Sequence, residues 1–247
     1  MPLAPTRTLR IPSRYAMRFD GVDDRVEIPH SPSYATTRHT VMITFMPTSN
    51  YYLLFSKGWW GYYRLLMYLV QYLYMGVTRM DMTNFFFPSV MRPRPYVWTT
   101  IAYWLDEFDA NVKGAFKDGA FYTPSYTINL DYPLCFECSN PLRIMGVPSS
   151  AFYPGYVAQV LIYNRALSAD EISWNYQNYY NPVRDGLVLC LIADPRYIRD
   201  IDNDGILEWI DLSGYNNHGK IYGATLVDLY KSPVRTLPAA RTMPVAR

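Results

Sequence analysis

Short strand-like runs dominate this chain and narrow its fold before anything else does. YAMRFD, DRVEIP, TVMITFMP, YYRLLMYLVQYLYMGV, VWTTIAYWL, NVKGAFKDGAFY, PLRIMGV and YVAQVLIYN are apolar or alternating, and Gly, Pro, Asn or Asp bounds them. Closely spaced strands with turn residues between them make a sandwich or a barrel. Tyrosine favours strands and proline favours rigid turns, and the chain has 24 and 19 of them. Its 247 residues are enough to bury a substantial core.

One helix interrupts the pattern. LSADEISWNYQNYYNP carries Ser168 as N-cap and Glu171 three residues on, a capping box, with Ile172 and Tyr176 on one face and Pro182 closing the element. The stretch from Tyr62 to Met75, read as one extended strand, puts Leu65, Met67, Leu69, Leu73 and Met75 on one face. A turn near Gln71 would change that parity.

Charge and cysteine content exclude several classes. A formal net charge of +2 does not describe a general nucleic-acid binder, and 18 arginines against 5 lysines suit planar ion pairs and stacking on tyrosine. MPLAPTRTLRIPSR lacks the apolar centre that export requires, so no signal peptide is expected. The most apolar run, 13 residues from Leu65, falls short of the ~20 that span a bilayer as a helix, and the chain reads as soluble. Cys135, Cys138 and Cys190 are too few for a disulfide framework, and CFEC has no second pair to complete a zinc site. They read as buried or incidental thiols, with a Cys135–Cys138 redox pair as the alternative.

Four segments then bring a resemblance into view. YAMRFDGVDDRVEIP, LFSKG, FKDGAFY and YVAQVLIYNRALSADEISWNY, in that order over Tyr15 to about Tyr180, resemble the laminin-G-like domains of the concanavalin A-like lectin/glucanase superfamily. The resemblance implies an all-β fold: an antiparallel jelly-roll β-sandwich with one short helix and extended terminal arms. In related domains, carboxylates near the first turn sometimes hold calcium. Asp20, Asp23 and Asp24 better suit capping turn amides or pairing with Arg18 or Arg25.

The order of the last segments departs from that family. GLVLCLIAD (Gly186 to Asp194) and WIDLSGYNNHGKIYGATL (Trp209 to Leu226) resemble strands that usually lead and here come last. Either they return to the same sandwich, as in a circular permutation, or they are donated to a neighbouring subunit's open edge. A truncated second domain ranks below both, because about 50 residues cannot bury a sandwich core. The organisation expected is a basic arm (1–14), a laminin-G-like sandwich (15–181), C-terminal strands with an acidic loop (182–230) and a second basic arm (231–247).

Within the C-terminal segment, DIDNDGILEWID has the spacing of an EF-hand-type calcium loop. Asp200, Asp202 and Asp204 would supply carboxylates, Ile206 a backbone carbonyl, Glu208 a water-mediated contact and Asp211 the twelfth position. Asp211 is shorter than the usual Glu, and the flanks read as strands rather than helices. The alternative is a solvated loop partly neutralised by Arg196 and Arg199. A bound calcium would be structural.

For function, three classes compete. Glycan hydrolysis wants two carboxylates facing one cleft; WLDEFDANV offers Asp106, Glu107 and Asp109, but Asp106 and Glu107 point to opposite faces if extended. His30, His39 and His218 have no partnered Ser or Cys motif, and His218 belongs to the NNHG turn. The chain reads as a non-enzyme. Trp59, Trp60, Tyr62 and Tyr63 in NYYLLFSKGWWGYY could stack sugar rings or form a protein interface. The proline-bearing basic ends read as connectors that wrap neighbours. The expectation is a non-catalytic, multimeric surface protein of a virion or cell envelope that contacts glycans, with self-assembly or other structural subunits as partners. A free-standing carbohydrate-binding lectin is the alternative.

Overall fold

Alternation decides which way the first strand faces. In YAMRFD, Met17 and Phe19 are buried while Arg18 and Asp20 are exposed, so one face turns to a core and the other to solvent. The computed structural model describes residues 13–34, 36–50, 52–59, 62–69, 73–79, 85–86, 91–106, 109–123, 139–146 and 152–231. Within them run β1 (Tyr15–Asp20), β2 (Arg25–Ile28), β3 (Arg38–Pro47), β4 (Tyr52–Trp59), β5 (Tyr62–Leu69), β6 (Leu73–Arg79), β7 (Phe85–Phe86), β8 (Thr99–Asp106), β9 (Asp109–Lys117), β10 (Ala120–Tyr122), β11 (Leu142–Ile144), β12 (Pro154–Tyr163), α1 (Ala169–Gln177), β13 (Leu187–Ile192), β14 (Ile198–Arg199), β15 (Glu208–Trp209), β16 (Gly219–Tyr222) and β17 (Thr225–Asp228).

These strands form two antiparallel sheets. One has eight strands in the order β10-β9-β8-β3-β12-β1-β17, with β13 also against β12; the other has nine, β14-β15-β16-β2-β11-β4-β5-β6-β7. The core between them draws Met17, Phe19, Val41, Ile43, Phe45 and Ile101 from the first sheet and Val26, Ile28, Phe55 and Trp209 from the second. Phe55 on β4 stacks on Tyr103 of β8 across the layers, centroids 6.4 Å apart. Burying one such side chain stabilises the fold by roughly 1.5–3 kcal/mol.

The continuous apolar run of β3 has a physical reason. Its odd-numbered residues Val41, Ile43 and Phe45 face the inter-sheet core, while Met42 faces a second apolar cluster on the outside of the eight-stranded sheet. That outer cluster includes Ala102, Phe116, Leu161, Tyr163, Cys190 and Ile192, and Ile172 of α1 belongs to it. A strand buried on both faces loses its alternation.

The capping box of α1 is present as expected: Ser168 Oγ accepts from Glu171 N, and Glu171 accepts from Ser168 N. The helix ends at Gln177, before Pro182; Ile172 and Asn175 are buried, and Tyr176, on the face of Ile172, packs edge-on to Phe116 of the same cluster. The DG hairpin is a two-residue turn with positive φ at Asp118 (49°) and Gly119 (96°), the twist that flanking strands prefer. Tyr62 to Met75 is two paired strands rather than one, with Met67 opposite Met75 and Leu69 opposite Leu73.

The C-terminal strands pair within the same chain. β13 lies on β12 from Gln159 to Tyr163, and β1 lies on the same edge of β12 from Pro154 to Val157. Two segments distant in sequence thus run end to end along one edge. β16 pairs with β2 and β17 with β1. A bidentate contact from Arg14 to Asp228 and a backbone bond from Leu229 N to Arg14 O fasten the β1–β17 seam.

Candidate functional site

Register lines charge up on the outer face of the nine-stranded sheet. Arg199 pairs with Glu208, Glu208 with Lys220, Lys220 with Glu27, and Glu27 with Arg143. Directly opposed residues of antiparallel strands share a face, so five side chains of alternating sign cross five strands. Glu27 Oε1 accepts from Arg25 Nε at 2.9 Å and from Arg143 Nε at 2.8 Å. Burial pushes the Glu27 carboxyl up, but the two guanidiniums outweigh it and hold it below the usual range. The outer face of the other sheet is apolar beneath α1, so the polar face is the one that can meet a hydrophilic ligand.

One end of this face opens into a cleft of about 480 Å³. Three segments meet there: the turn after β1, the acidic loop before β15 and the turn joining β16 to β17. Asp23, Arg25, Leu207, Ile221, Tyr222 and Ala224 are among its lining residues. The Arg25 guanidinium lies 4.4 Å over the Tyr222 ring, in a register that pairs the two residues directly. Its Nε is held by Glu27, and one terminal nitrogen donates to the Asp23 carbonyl. Guanidinium carries five N–H donors, so a planar fork fixed on an aromatic ring retains donors for a ligand beside the exposed Asp23 carboxylate. The sequence marks Arg25 only as a partner of the first turn and does not mark Tyr222 at all. Their cleft arises from β2–β16 pairing, which no local pattern announces.

Both acidic groups flank the cleft. In the first turn, Asp20 Oδ1 accepts from Val22 N and Asp24 Oδ2 from Asp20 N, both at 2.7 Å, so two of the three aspartates cap turn amides. Burial raises the Asp24 carboxyl above its ordinary value. Carboxylate oxygens of Asp20, Asp23 and Asp24 lie within 4.8 Å of one another.

The acidic loop divides its six expected ligands. Asp200, Asp202 and Glu208 bring carboxylate oxygens within 4.8 Å of one another, and Asp200 Oδ1 is shielded from solvent with no hydrogen-bond partner. Those oxygens suit a hard cation. Asp204 faces Lys220 instead: the ammonium sits 2.9 Å from Asp202 Oδ2 and contacts Asp204 Oδ2 as well. Lys220 holds the Asp204 carboxyl below its usual range, and the Asp204 and Asp202 carboxylates raise the lysine in return. Neutralisation therefore comes from Lys220; Arg196 forms a two-pronged pair with Asp194. Ile206 N donates to Asp204 Oδ1.

Asp211 does not join the loop. It is buried and accepts from Cys190 N, Ser213 N, Ser213 Oγ and Asn217 N. It belongs to the DLSG turn, which ties β13 to the segment before β16, and caps that turn instead of joining the carboxylates expected to hold a metal. His218 Nδ1 accepts from Asp211 N at 3.0 Å, the local bond its place in the turn implied.

The remaining candidates fall elsewhere. Trp60 and the side chains of Trp59, Tyr62 and Tyr63 lie outside the described residues, as do Cys135 and Cys138. Cys190 is buried under α1, and burial pushes its thiol up to about 12. Asp106 is buried at the end of β8 against Arg38, on the opposite sheet from the cleft, and Asp109 pairs with it across the hairpin.

No protein-family model and no curated protein sequence matches the chain. Solved structures do match. A candidate carbohydrate-binding protein from Bacteroides ovatus superposes with a TM-score of 0.62 at 13% identity over 87% of this chain, which spans 60% of that protein. A heptameric, SAP-like pentraxin from Limulus polyphemus superposes with a TM-score of 0.50 at 12% identity, covering 68% of this chain and 83% of the pentraxin. At such identities the likeness is one of fold, and the chain has the all-β, concanavalin A-like jelly-roll fold.

Proposed function

We propose that this chain is a non-catalytic carbohydrate-binding protein that grips its ligand in the cleft beside β2 and β16. The observation that carries this reading is the Arg25 guanidinium, stacked on Tyr222 and anchored by Glu27, in a cleft whose lining also includes the exposed Asp23 and the apolar Leu207. Sugars present hydroxyls that need both donors and acceptors and C–H faces that need apolar or aromatic surface. The Bacteroides ovatus protein of the same fold, described as a carbohydrate-binding candidate, supports the reading. The test is binding of the full chain to a broad panel of immobilised glycans, compared with Arg25→Gln and Tyr222→Ala. Loss of binding without a matching loss of thermal stability is expected; unchanged binding by both variants would refute this cleft as the site. The same reading gives the acidic loop a structural calcium held by Asp200, Asp202 and Glu208.

A second reading, a multimeric surface subunit of a virion or a cell envelope, keeps one observation in its favour. Arg14 and Asp228 are joined across β1 and β17, so the described ends of the chain, Ser13 and Lys231, lie at one corner of the sandwich. The segments before Ser13 and after Lys231 carry Arg7, Arg10, Arg235, Arg241 and Arg247 and no acidic residue. Sedimentation of the full chain separates the two: a concentration-independent monomer rules out the subunit.

A further inference from the structure

Resting on the glycan reading of the cleft, we infer that its ligand class is a neutral glycan, and that chains bearing sialic acid, uronic acid or sulfate are excluded. The charge around the cleft is lopsided. Segments 20–27, 199–208 and 220–224, which line and flank it, carry eight carboxylates (Asp20, Asp23, Asp24, Glu27, Asp200, Asp202, Asp204 and Glu208) against the cations Arg25, Arg199 and Lys220. The formal balance is −5 in a chain whose total is +2, so the remaining residues hold +7. One divalent cation in the loop would leave the rim at −3 by the same formal count.

Three positive groups of this face already pair with carboxylates. Arg143 and Arg25 share Glu27, and Lys220 bridges Asp202 and Asp204. An incoming carboxylate or sulfate would meet the Arg25 fork in a cleft that Asp23 also lines, with the carboxylates of the acidic loop behind Gly205, Ile206 and Leu207. Of the charged groups counted, Asp23 and Arg25 line the cleft and the others surround it. Excess like charge around a concave site is felt more strongly than around a flat surface, and water screens it incompletely there. A vicinal diol carries no such penalty. One hydroxyl oxygen accepts from the fork, and a neighbouring hydroxyl donates to Asp23. The arrangement that recognises a sugar is therefore also the one that rejects its acidic derivatives.

Matched pairs test this whichever monosaccharide the cleft takes. The full chain is offered fetuin and asialofetuin, a sulfated polysaccharide and its desulfated form, and pectin and carboxyl-reduced pectin. The expected result is at least tenfold stronger binding to the acid-free member of any pair that binds. That preference should shrink at high salt, because the screening length falls from about 30 Å at about 0.01 M to about 3 Å at about 1 M. Arg25→Gln should abolish binding to the acid-free member. Equal or stronger binding to an acid-bearing member overturns the ligand class and leaves the cleft standing. Binding to no member of any pair overturns both the class and the glycan reading.

Discussion

The Asp24 carboxylate fills the space where a side chain at Gly223 would begin: a Cβ built on Gly223 would overlap Asp24 Oδ1. The other oxygen, Oδ2, accepts from Asp20 N, so Asp24 cannot swing aside without releasing the first turn. Two turns separated by about two hundred residues close on each other at the cleft. Gly223 also has φ +73°, a left-handed conformation that costs a residue with a Cβ roughly 1–2 kcal/mol. Gly223→Ala is expected to destabilise by about 2–4 kcal/mol, adding that cost to displacement of a buried carboxylate. Urea unfolding measures it. A variant as stable as the parent would show that the two turns do not form a seam.

The end of α1 nearest the NRAL segment should give the fold part of its acid sensitivity. Arg165 meets Glu171 with two N–H donors, at 2.6 and 3.0 Å, while Ser168 N donates to the same carboxylate. The Arg165 bond, chiefly, lowers the Glu171 carboxyl to about 2 from 4.5. A depressed carboxylate contributes stability above its unfolded value and loses it as pH falls through the folded one. The contribution is therefore complete above about pH 4.5 and lost on approach to pH 2. Glu171→Gln should cost about 1–2 kcal/mol at neutral pH, a figure reduced because both side chains still touch water. Its stability should also fall less steeply between pH 4.5 and 2; an identical slope in the parent would remove Glu171 from the account.

Cys190 should behave as a core side chain rather than a reactive thiol. It has no exposed surface, and burial pushes its thiol to about 12, so almost none is thiolate near neutral pH. Iodoacetamide applied to the native chain, followed by peptide-level mass spectrometry, should leave Cys190 unmodified, and denaturant should make it react fully. Native labelling would mean that the cluster under α1 opens readily.

Much of this was legible in the sequence because the signals are local. The capping box at Ser168 and Glu171, the Asp118–Gly119 turn and the alternation of β1 each depend on neighbours a few residues away. The less legible features depend on register. Lys220 stands 16 residues beyond Asp204 in the chain, yet β15–β16 pairing places it opposite Glu208, within reach of the loop. Asp211 belongs to two overlapping patterns, the twelfth place of DIDNDGILEWID and the first of DLSG. The turn claims it, since four donors converge on its carboxylate and loop ligation would strand them.

Lys220 should also govern how the acidic loop responds to calcium. Its ammonium lies against Asp202 and Asp204, so a divalent cation that takes Asp202 must compete with it. Asp200 Oδ1 and Glu208 would complete the donor set. Calcium at about 100 times its dissociation constant would stabilise the fold by about 2.7 kcal/mol, which for a chain of this size raises Tm by roughly 5–10 °C. The parent should show a smaller rise at the same calcium concentration than Lys220→Met, in which the competing charge is gone. Asp200→Asn should show none, and magnesium should be a poor substitute because it demands a tighter octahedral shell. Were calcium to leave the Tm of both the parent and Lys220→Met unchanged, the loop would be a lysine-clamped turn and not a metal site.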